Sequence, residues 1–321
     1  MSEHNLYPMK IVALTRPYVW GGDRLKPYFC DNVVEHSPLA EAWLIGEDNV
    51  IANGFLTGRT LLEVSREYGK SLLGEVSAKN NNRFPLLIKI LDCAQWLSLQ
   101  VHPNDEQAIR LEGPAFSGKT EAWYVLEAEP GANLIAGLKP GLTRQAVEDT
   151  IRQGNVMELV QYHTLHPDDT IFIGAGTVHA LGPGILVYEV QQMSDLTYRI
   201  YDWDRPQTAG RLLHIDKSLE VIDPEIEASV IHYDPTGEPF SRSLVRCKPF
   251  VFEGLASLGE PIQLDTQGMS FDVVTVIEGE AKLTVGEHQL NLDKYESVLI
   301  PASCGAYQLE GKFKALKTQA L

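Results

Sequence analysis

In the run Leu97-Ser98-Leu99-Gln100-Val101-His102, apolar and polar side chains alternate residue by residue. A period of two marks a strand with one buried face, because successive side chains point to opposite sides. Leu97, Leu99 and Val101 then share one face, and Gln100 and His102 lie together on the other. Pro103 ends the strand, and Asn104-Asp105-Glu106-Gln107 caps a short helix directly after it. A second block, Lys119-Thr120-Glu121-Ala122-Trp123-Tyr124, passes from Glu121 into another strand-like run. A nitrogen donor and a carboxylate facing inward from neighbouring strands are the beginnings of a metal site. These two blocks commit the chain to a β-fold with polar donors displayed on an inner face.

The remaining chain agrees with that commitment. Glu41 to Gly46 reads as a strand ended by glycine, and Phe84 to Leu91 as an apolar strand interrupted by one charge, Lys89. Thr60-Leu61-Leu62-Glu63 is a capping-box pattern opening a helix to about Tyr68. From Glu121 onward strands dominate, with one exception near 143–162. There Thr143 starts a helix to about Gln153, and Asn155 caps a second ending near Tyr162. Strand signals return at Thr170 to Ile173 and Gly184 to Val190. Asp204 to Gln207, and Ile222 to Pro239 with its Pro, Glu and Asp, read as loop and linker. Ser243 to Leu321 is short alternating strands separated by glycines, as a barrel or sandwich requires.

Two segments echo each other across the chain. Glu121 to Gly131 resembles Met269 to Gly279, and Thr170 to Ala175 resembles Ser297 to Ala302. The first pair is further apart than the second by about the length of Thr143 to His163, so one β-unit is used twice with helices inserted in the first copy. On this alignment Glu121 corresponds to Met269 and His179 to Ala306, so the second copy lacks metal-capable side chains. The expected organisation is a metal-binding domain over 1–240, with the helical insertion near 143–162, and a degenerate domain over 241–321.

Bulk properties limit the partners. A 321-residue chain with 44% hydrophobic and 22% charged residues builds a substantial core, and its length suggests roughly two domains. A net charge of −16 argues against nucleic acid, and requires any anionic substrate to meet a local cluster of Lys and Arg. No apolar stretch approaches the roughly 18 residues that span a bilayer. Met1 to Asn5 has neither a basic nor an apolar leader region, so no secretory signal is expected. Cys30, Cys93, Cys247 and Cys304 are far apart and form no C-x-x-C, which suits reduced thiols in a cytoplasmic protein. Oligomeric state is not legible.

Of nine histidines, His4, His36, His163, His166, His214, His232 and His288 have no ligand partner at useful spacing and read as surface or structural. His102 pairs with Gln100 on one strand face. His179 follows the glycine turn Gly174-Ala175-Gly176-Thr177-Val178 at the mouth of a strand. Two His, Glu121 and a weaker Gln100 offer nitrogen and oxygen without thiolate, which suits zinc first, with manganese, iron or cobalt as neighbours. Three strong ligands leave a position open to substrate oxygen or water. Lys119 lies two before Glu121 and points to the same side on extended backbone. Lys89 is costly to bury inside its apolar strand without a partner, which favours a functional role. Glu189 and Arg199 follow closely on His179, where structural ion pairing is the competing explanation.

Gln100-Val101-His102-Pro103-Asn104-Asp105, Lys119-Thr120-Glu121-Ala122-Trp123, Thr177-Val178-His179-Ala180 and Ser194-Asp195-Leu196-Thr197-Tyr198-Arg199 together resemble type I mannose-6-phosphate isomerase in its short bacterial form. The likeness runs from Trp20-Gly21-Gly22 to the last strands. It implies two cupin-type (jelly-roll) β-barrels with a helical insertion in the first, and one zinc ion held by Gln100, His102, Glu121 and His179. It also implies an active-site arginine at Arg199. The larger helical domain of longer relatives is absent here, where only the small insertion is present.

The implied reaction interconverts mannose 6-phosphate and fructose 6-phosphate through an enediol, and needs a base and a holder for the developing oxyanion. Arg199 suits the oxyanion, Lys89 and Lys119 are candidate substrate contacts, and Glu189 or Lys119 is the base. Other readings are a catalytically silent cupin that senses sugar phosphate, a cupin isomerase acting on glucose 6-phosphate, or a metal-dependent oxygenase. Oxygenases favour a compact His-x-His, and Gln100 occupies the first of those positions.

Overall fold

A computed structural model describes residues 5–29, 37–206, 211–233 and 237–321. Cys30, His4, His36 and Gln207 lie outside the described residues. The protein is mainly β and folds as two compact units, one built from 1–14, 43–88 and 235–321, the other from 15–42 and 89–234. No helix is long and apolar enough to cross a membrane, among the described residues.

Residues 89–234 contribute strands to two sheets. The wider runs in the order Val230–Ile231, Thr170–Ile173, Glu121–Ala128, Ile185–Gln192, Leu86–Cys93, Glu41–Ile45 and Leu14–Arg16. The narrower runs Tyr198–Tyr201, Leu99–Val101, His179–Leu181, Asn133–Leu138 and Val160–Thr164. Buried Trp123, Val125, Ile171 and Val187 of the first meet Leu134, Ala136 and Leu181 of the second in one apolar cluster. Opposed sheets of this kind bury the inward half of each alternating strand. Among the described residues neither sheet closes on itself, so this is a sandwich of sheets.

The capping patterns behave as read. Asn104 Oδ1 accepts from the Gln107 N–H while the Gln107 side chain accepts from the Asn104 N–H, opening the helix Asp105–Glu112 immediately after His102–Pro103. Thr60 and Glu63 form the same reciprocal pair at Leu61–Tyr68. Asn104→Ala is expected to cost about 1 kcal/mol of stability in urea titration, because the Gln107 N–H in the first turn loses its fixed acceptor. Two local expectations change. Asn155 opens only a single 3-10 turn, Val156–Glu158, before Val160–Thr164 pairs with Asn133–Leu138 as a strand. The stretch read as linker is preceded by a helix, Ile215–Val221, and contains the short strand Val230–Ile231.

The other unit repeats the two-sheet plan, and its strand registers correct the internal echo. Glu121 pairs with Ile173 and Tyr124 with Thr170; Asp272 pairs with Ile300 and Thr275 with Ser297. The residue in the place of Glu121 is therefore Asp272, three positions beyond Met269. Tyr307 reaches Asp272 from the strand paired with Ile262–Asp265, as His179 reaches Glu121 from the strand paired with Leu99–Val101, so by contact Tyr307 stands in the place of His179. Gln191 pairs with Glu121 as Gln319 pairs with Asp272, which puts Lys317 in the place of Glu189. The second copy lacks the two histidines but keeps a buried carboxylate. Tyr307 donates to Asp272 Oδ2 at 2.7 Å, and Lys317 Nζ lies 3.4 Å from Asp272 Oδ1 and 2.8 Å from Glu253. An ammonium and a phenol hydroxyl thus each meet one oxygen of this buried carboxylate.

Candidate metal and active site

His102, Glu121 and His179 converge on one point in the 89–234 unit, with ligand-capable atoms within 4.8 Å of one another and all three side chains buried. Strand pairing explains the convergence. Arg199 lies opposite Gln100, and Gln100 opposite His179, so three neighbouring strands carry these side chains on one face. Glu121 and Trp123 project from the facing sheet beside Gln191 and Glu189.

Backbone carbonyls fix both imidazoles. His102 Nδ1 lies 2.8 Å from the Leu196 carbonyl, and His179 Nδ1 lies 2.9 Å from the Thr177 carbonyl. A carbonyl only accepts, so each Nδ1 carries the proton and each Nε2 presents its lone pair. Those lone pairs point at Glu121: His102 Nε2 is 3.3 Å from Oε1 and His179 Nε2 is 3.5 Å from Oε2. His102 Nε2 is buried without a hydrogen-bond donor. Two lone pairs set against a carboxylate repel unless a cation lies between them, and imidazoles oriented by carbonyls through the other nitrogen are the usual companions of a metal. The residues present therefore fit a divalent ion. Gln100 Nε2 is 3.2 Å from His179 Nε2, and rotation of the amide would turn its oxygen inward.

Charge around the cluster is arranged in pairs. Lys119 Nζ sits 2.8 Å from Glu121 Oε1; burial works against the charge of that carboxyl, but the Lys119 ammonium holds it well below the usual range. Burial, reinforced by Lys119, pushes His102 down to about 3, and burial likewise lowers His179, so both imidazoles are neutral at physiological pH and able to act as ligands. Lys89 Nζ bridges Glu189 Oε1 at 3.3 Å and Glu41 at 3.5 Å. Burial works against its charge, yet Glu189 and Glu41 raise it above the ordinary lysine value. The Trp123 indole N–H donates to Glu189 Oε2 at 3.0 Å. Burial, then the charge of Glu121, pushes the Glu189 carboxyl up to about 7. Arg199 is half-buried; its guanidinium donates to the Leu212 carbonyl at 3.1 Å, and its backbone N–H to His214 Nδ1.

The structure thus gathers Gln100, His102, Glu121, His179 and Lys119 into one cluster, sets Lys89 and Glu189 together as an adjoining ion pair, and places Arg199 in the same strand row. Sequence reasoning missed Glu41, which opens its strand and does not interrupt an apolar run as Lys89 does. It also missed Gln191, whose buried amide donates to the Ser194 carbonyl at 2.7 Å and pins the loop that offers Leu196 to His102. The carbonyls of Leu196 and Thr177 leave no trace in side-chain identity.

Residues 9–131 match the family described as phosphomannose isomerase type I, catalytic domain, and residues 249–319 match mannose-6-phosphate isomerase, cupin domain. The chain is 35% identical over 312 residues to mannose-6-phosphate isomerase ManA of Bacillus subtilis, covering 95% of this chain and 96% of that one. It is 30% identical to the mannose-6-phosphate isomerase of Streptococcus mutans, covering 98% of each. The crystal structure of the mannose 6-phosphate isomerase from Bacillus subtilis superimposes with a TM-score of 0.83 at 28% identity, over 98% of this chain and 99% of that one.

Proposed function

The chain belongs to the type I phosphomannose isomerase family, and from that membership and its site we infer that it interconverts mannose 6-phosphate and fructose 6-phosphate. The observation that carries this reading is the buried convergence of His102 and His179 lone pairs on Glu121, bordered by Lys119 and by the Lys89–Glu189 pair. Zinc is the proposed ion, held by Gln100, His102, Glu121 and His179, since neutral imidazoles with carboxylate and amide oxygen suit it. When bound, it polarises substrate oxygen and offsets developing negative charge.

The chain's own residues do the rest. Glu189 takes the C2 proton as base; the C2–H electron pair forms the C1–C2 double bond, and the carbonyl electrons pass to O1, which is protonated to give the enediol. Glu189 then returns the proton to C1, which takes it up with the C1–C2 double-bond pair. O2 gives up its proton and its electrons form the C2 carbonyl of the ketose, balancing the proton gained at O1. Glu189 is supported as base by its value near neutrality and by Trp123 and Lys89, which hold its two oxygens. Lys119 is the second candidate base and lies against Glu121 in the cluster. Lys89, Lys119 and Arg199 are proposed to contact the substrate, and Arg199, always cationic, to steady the enediolate. We retain a jelly-roll barrel in each part of the chain, a metal-binding domain over 1–240 and a degenerate one over 241–321, although 1–14 and 43–88 fold into the same compact unit as 235–321. The family models matching 9–131 and 249–319 support that division. Free Cys93, Cys247 and Cys304 support a cytoplasmic setting.

A coupled assay from mannose 6-phosphate to fructose 6-phosphate, with and without chelator, tests the reading; sugar phosphate binding without turnover under every metal would favour a sensor. With Glu189 as base, kcat/KM falls about tenfold per pH unit below about 7, because the base is lost on protonation. Trp123→Phe shifts that limb alkaline, since removing a donor to the ionised carboxylate disfavours its charge. Glu189→Gln abolishes deuterium wash-in from solvent. If Lys119→Met abolishes it and Glu189→Gln does not, the roles are exchanged.

A further inference from the structure

Away from the active site, the turn His166-Pro167-Asp168-Asp169 leads into the strand Thr170–Ile173, and Val230–Ile231 pairs with the start of that strand. The pairing brings His232 beside Asp169 and opposite His166, three residues that sequence spacing alone scatters. His232 Nδ1 lies 2.8 Å from Asp169 Oδ1. His166 Nδ1 lies 3.7 Å from Oδ2, which also accepts the His166 backbone N–H at 2.7 Å. The two rings meet edge to face with centroids 5.6 Å apart. One ligand-capable atom from each residue falls within 4.8 Å of the others.

The burial pattern is unusual for a surface hydrogen bond. The Asp169 side chain is 1% exposed, whereas the imidazoles are 67% and 59% exposed and cover it from the solvent side. Among the described residues Asp169 has imidazoles but no lysine or arginine beside it. A buried carboxylate needs a cation to offset lost hydration. Two imidazole nitrogens and one carboxylate, with an open outer side for water, form a donor set suited to divalent ions of the zinc, nickel and copper class.

We propose that His166, Asp169 and His232 form a second divalent-metal site, distinct from the active site, which staples the Val230–Ile231 strand to the 165–170 turn. The ion replaces the His232–Asp169 hydrogen bond and supplies the missing positive charge. Its tether reinforces a strand that pairs over only two residues.

The probe is Zn2+ alone, added in slight excess to metal-stripped full-length protein, followed by gel filtration and mass-spectrometric metal analysis. Wild type is expected to retain about two ions per chain, and His166→Gln/His232→Gln and Asp169→Asn each about one. Glu121→Gln is also expected to retain about one, held at the surface site. The double His variant keeps its isomerase activity, and Zn2+ slows amide exchange at Val230 and Ile231 in wild type but not in that variant. Far-UV circular dichroism of the stripped proteins confirms that the variants fold. Equal uptake by folded wild type and the double His variant, or exchange at 230–231 indifferent to Zn2+, overturns the proposal.

Discussion

Glu121→Gln is expected to lower kcat/KM by roughly 10²–10³-fold or more and to strip the active-site ion from the purified protein. Glutamine has nearly the same shape, so packing is kept while the negative charge on which both imidazoles converge is removed. The charge also neutralises Lys119, whose ammonium lies 2.8 Å away and is buried. Removing one partner of a buried pair leaves the other uncompensated, a loss of about 3–5 kcal/mol in comparable cases. Activity and stability should therefore fall together in Glu121→Gln. Glu121→Gln/Lys119→Met should recover stability and not activity. Metal content by mass spectrometry and urea unfolding separate the two effects. A Glu121→Gln protein that held its active-site ion and turned over sugar phosphate at the wild-type rate would remove Glu121 from the centre.

What could be read from the sequence depended on distance along the chain. Gln100 and His102 were legible because two residues on one strand share a face, and that rule needs no tertiary information. Glu121 and Lys119 followed by the same rule. His179 stood out through the glycine turn before it. Glu41 and Gln191 were not legible, because their importance comes from strands that meet Leu86–Cys93 and Glu121–Ala128 only in the folded sheet. The repeat was visible but its register was not. Runs such as Phe271-Asp272-Val273-Val274 match any apolar strand almost equally well after a small slide, and a shift of three residues moved the correspondence from Asp272 to Met269. The wider pattern of hydrogen-bonded pairs fixes it. His166, Asp169 and His232 illustrate the same limit: nothing in their spacing joins them, and one short strand pairing does.

Lys317→Met is expected to destabilise the protein by about 3–5 kcal/mol at neutral pH, although it lies in the copy that carries no metal ligands. Asp272 is fully buried, and its two oxygens are held by Lys317 and Tyr307. Burial already raises its carboxyl above the usual range, against the opposing pull of Lys317. Without the ammonium, a neutral phenol alone faces a buried negative charge, so the folded-state pKa of Asp272 rises further above its unfolded value. A carboxyl raised in the folded state loses stability as pH climbs through that raised value, because the unfolded chain releases its proton more easily. The deficit of Lys317→Met against wild type should accordingly be largest at neutral pH and shrink toward acid pH, where Asp272 takes up a proton. Asp272→Asn/Lys317→Met removes both charges and should regain most of the loss, since a hydrogen-bonded neutral amide can still meet the Tyr307 hydroxyl. Urea unfolding of the three variants from pH 5 to 8 measures each part. If Lys317→Met matched wild type across that range, the ammonium would not be standing in for an ion, and the second copy would have lost its metal with no internal charge taking its place.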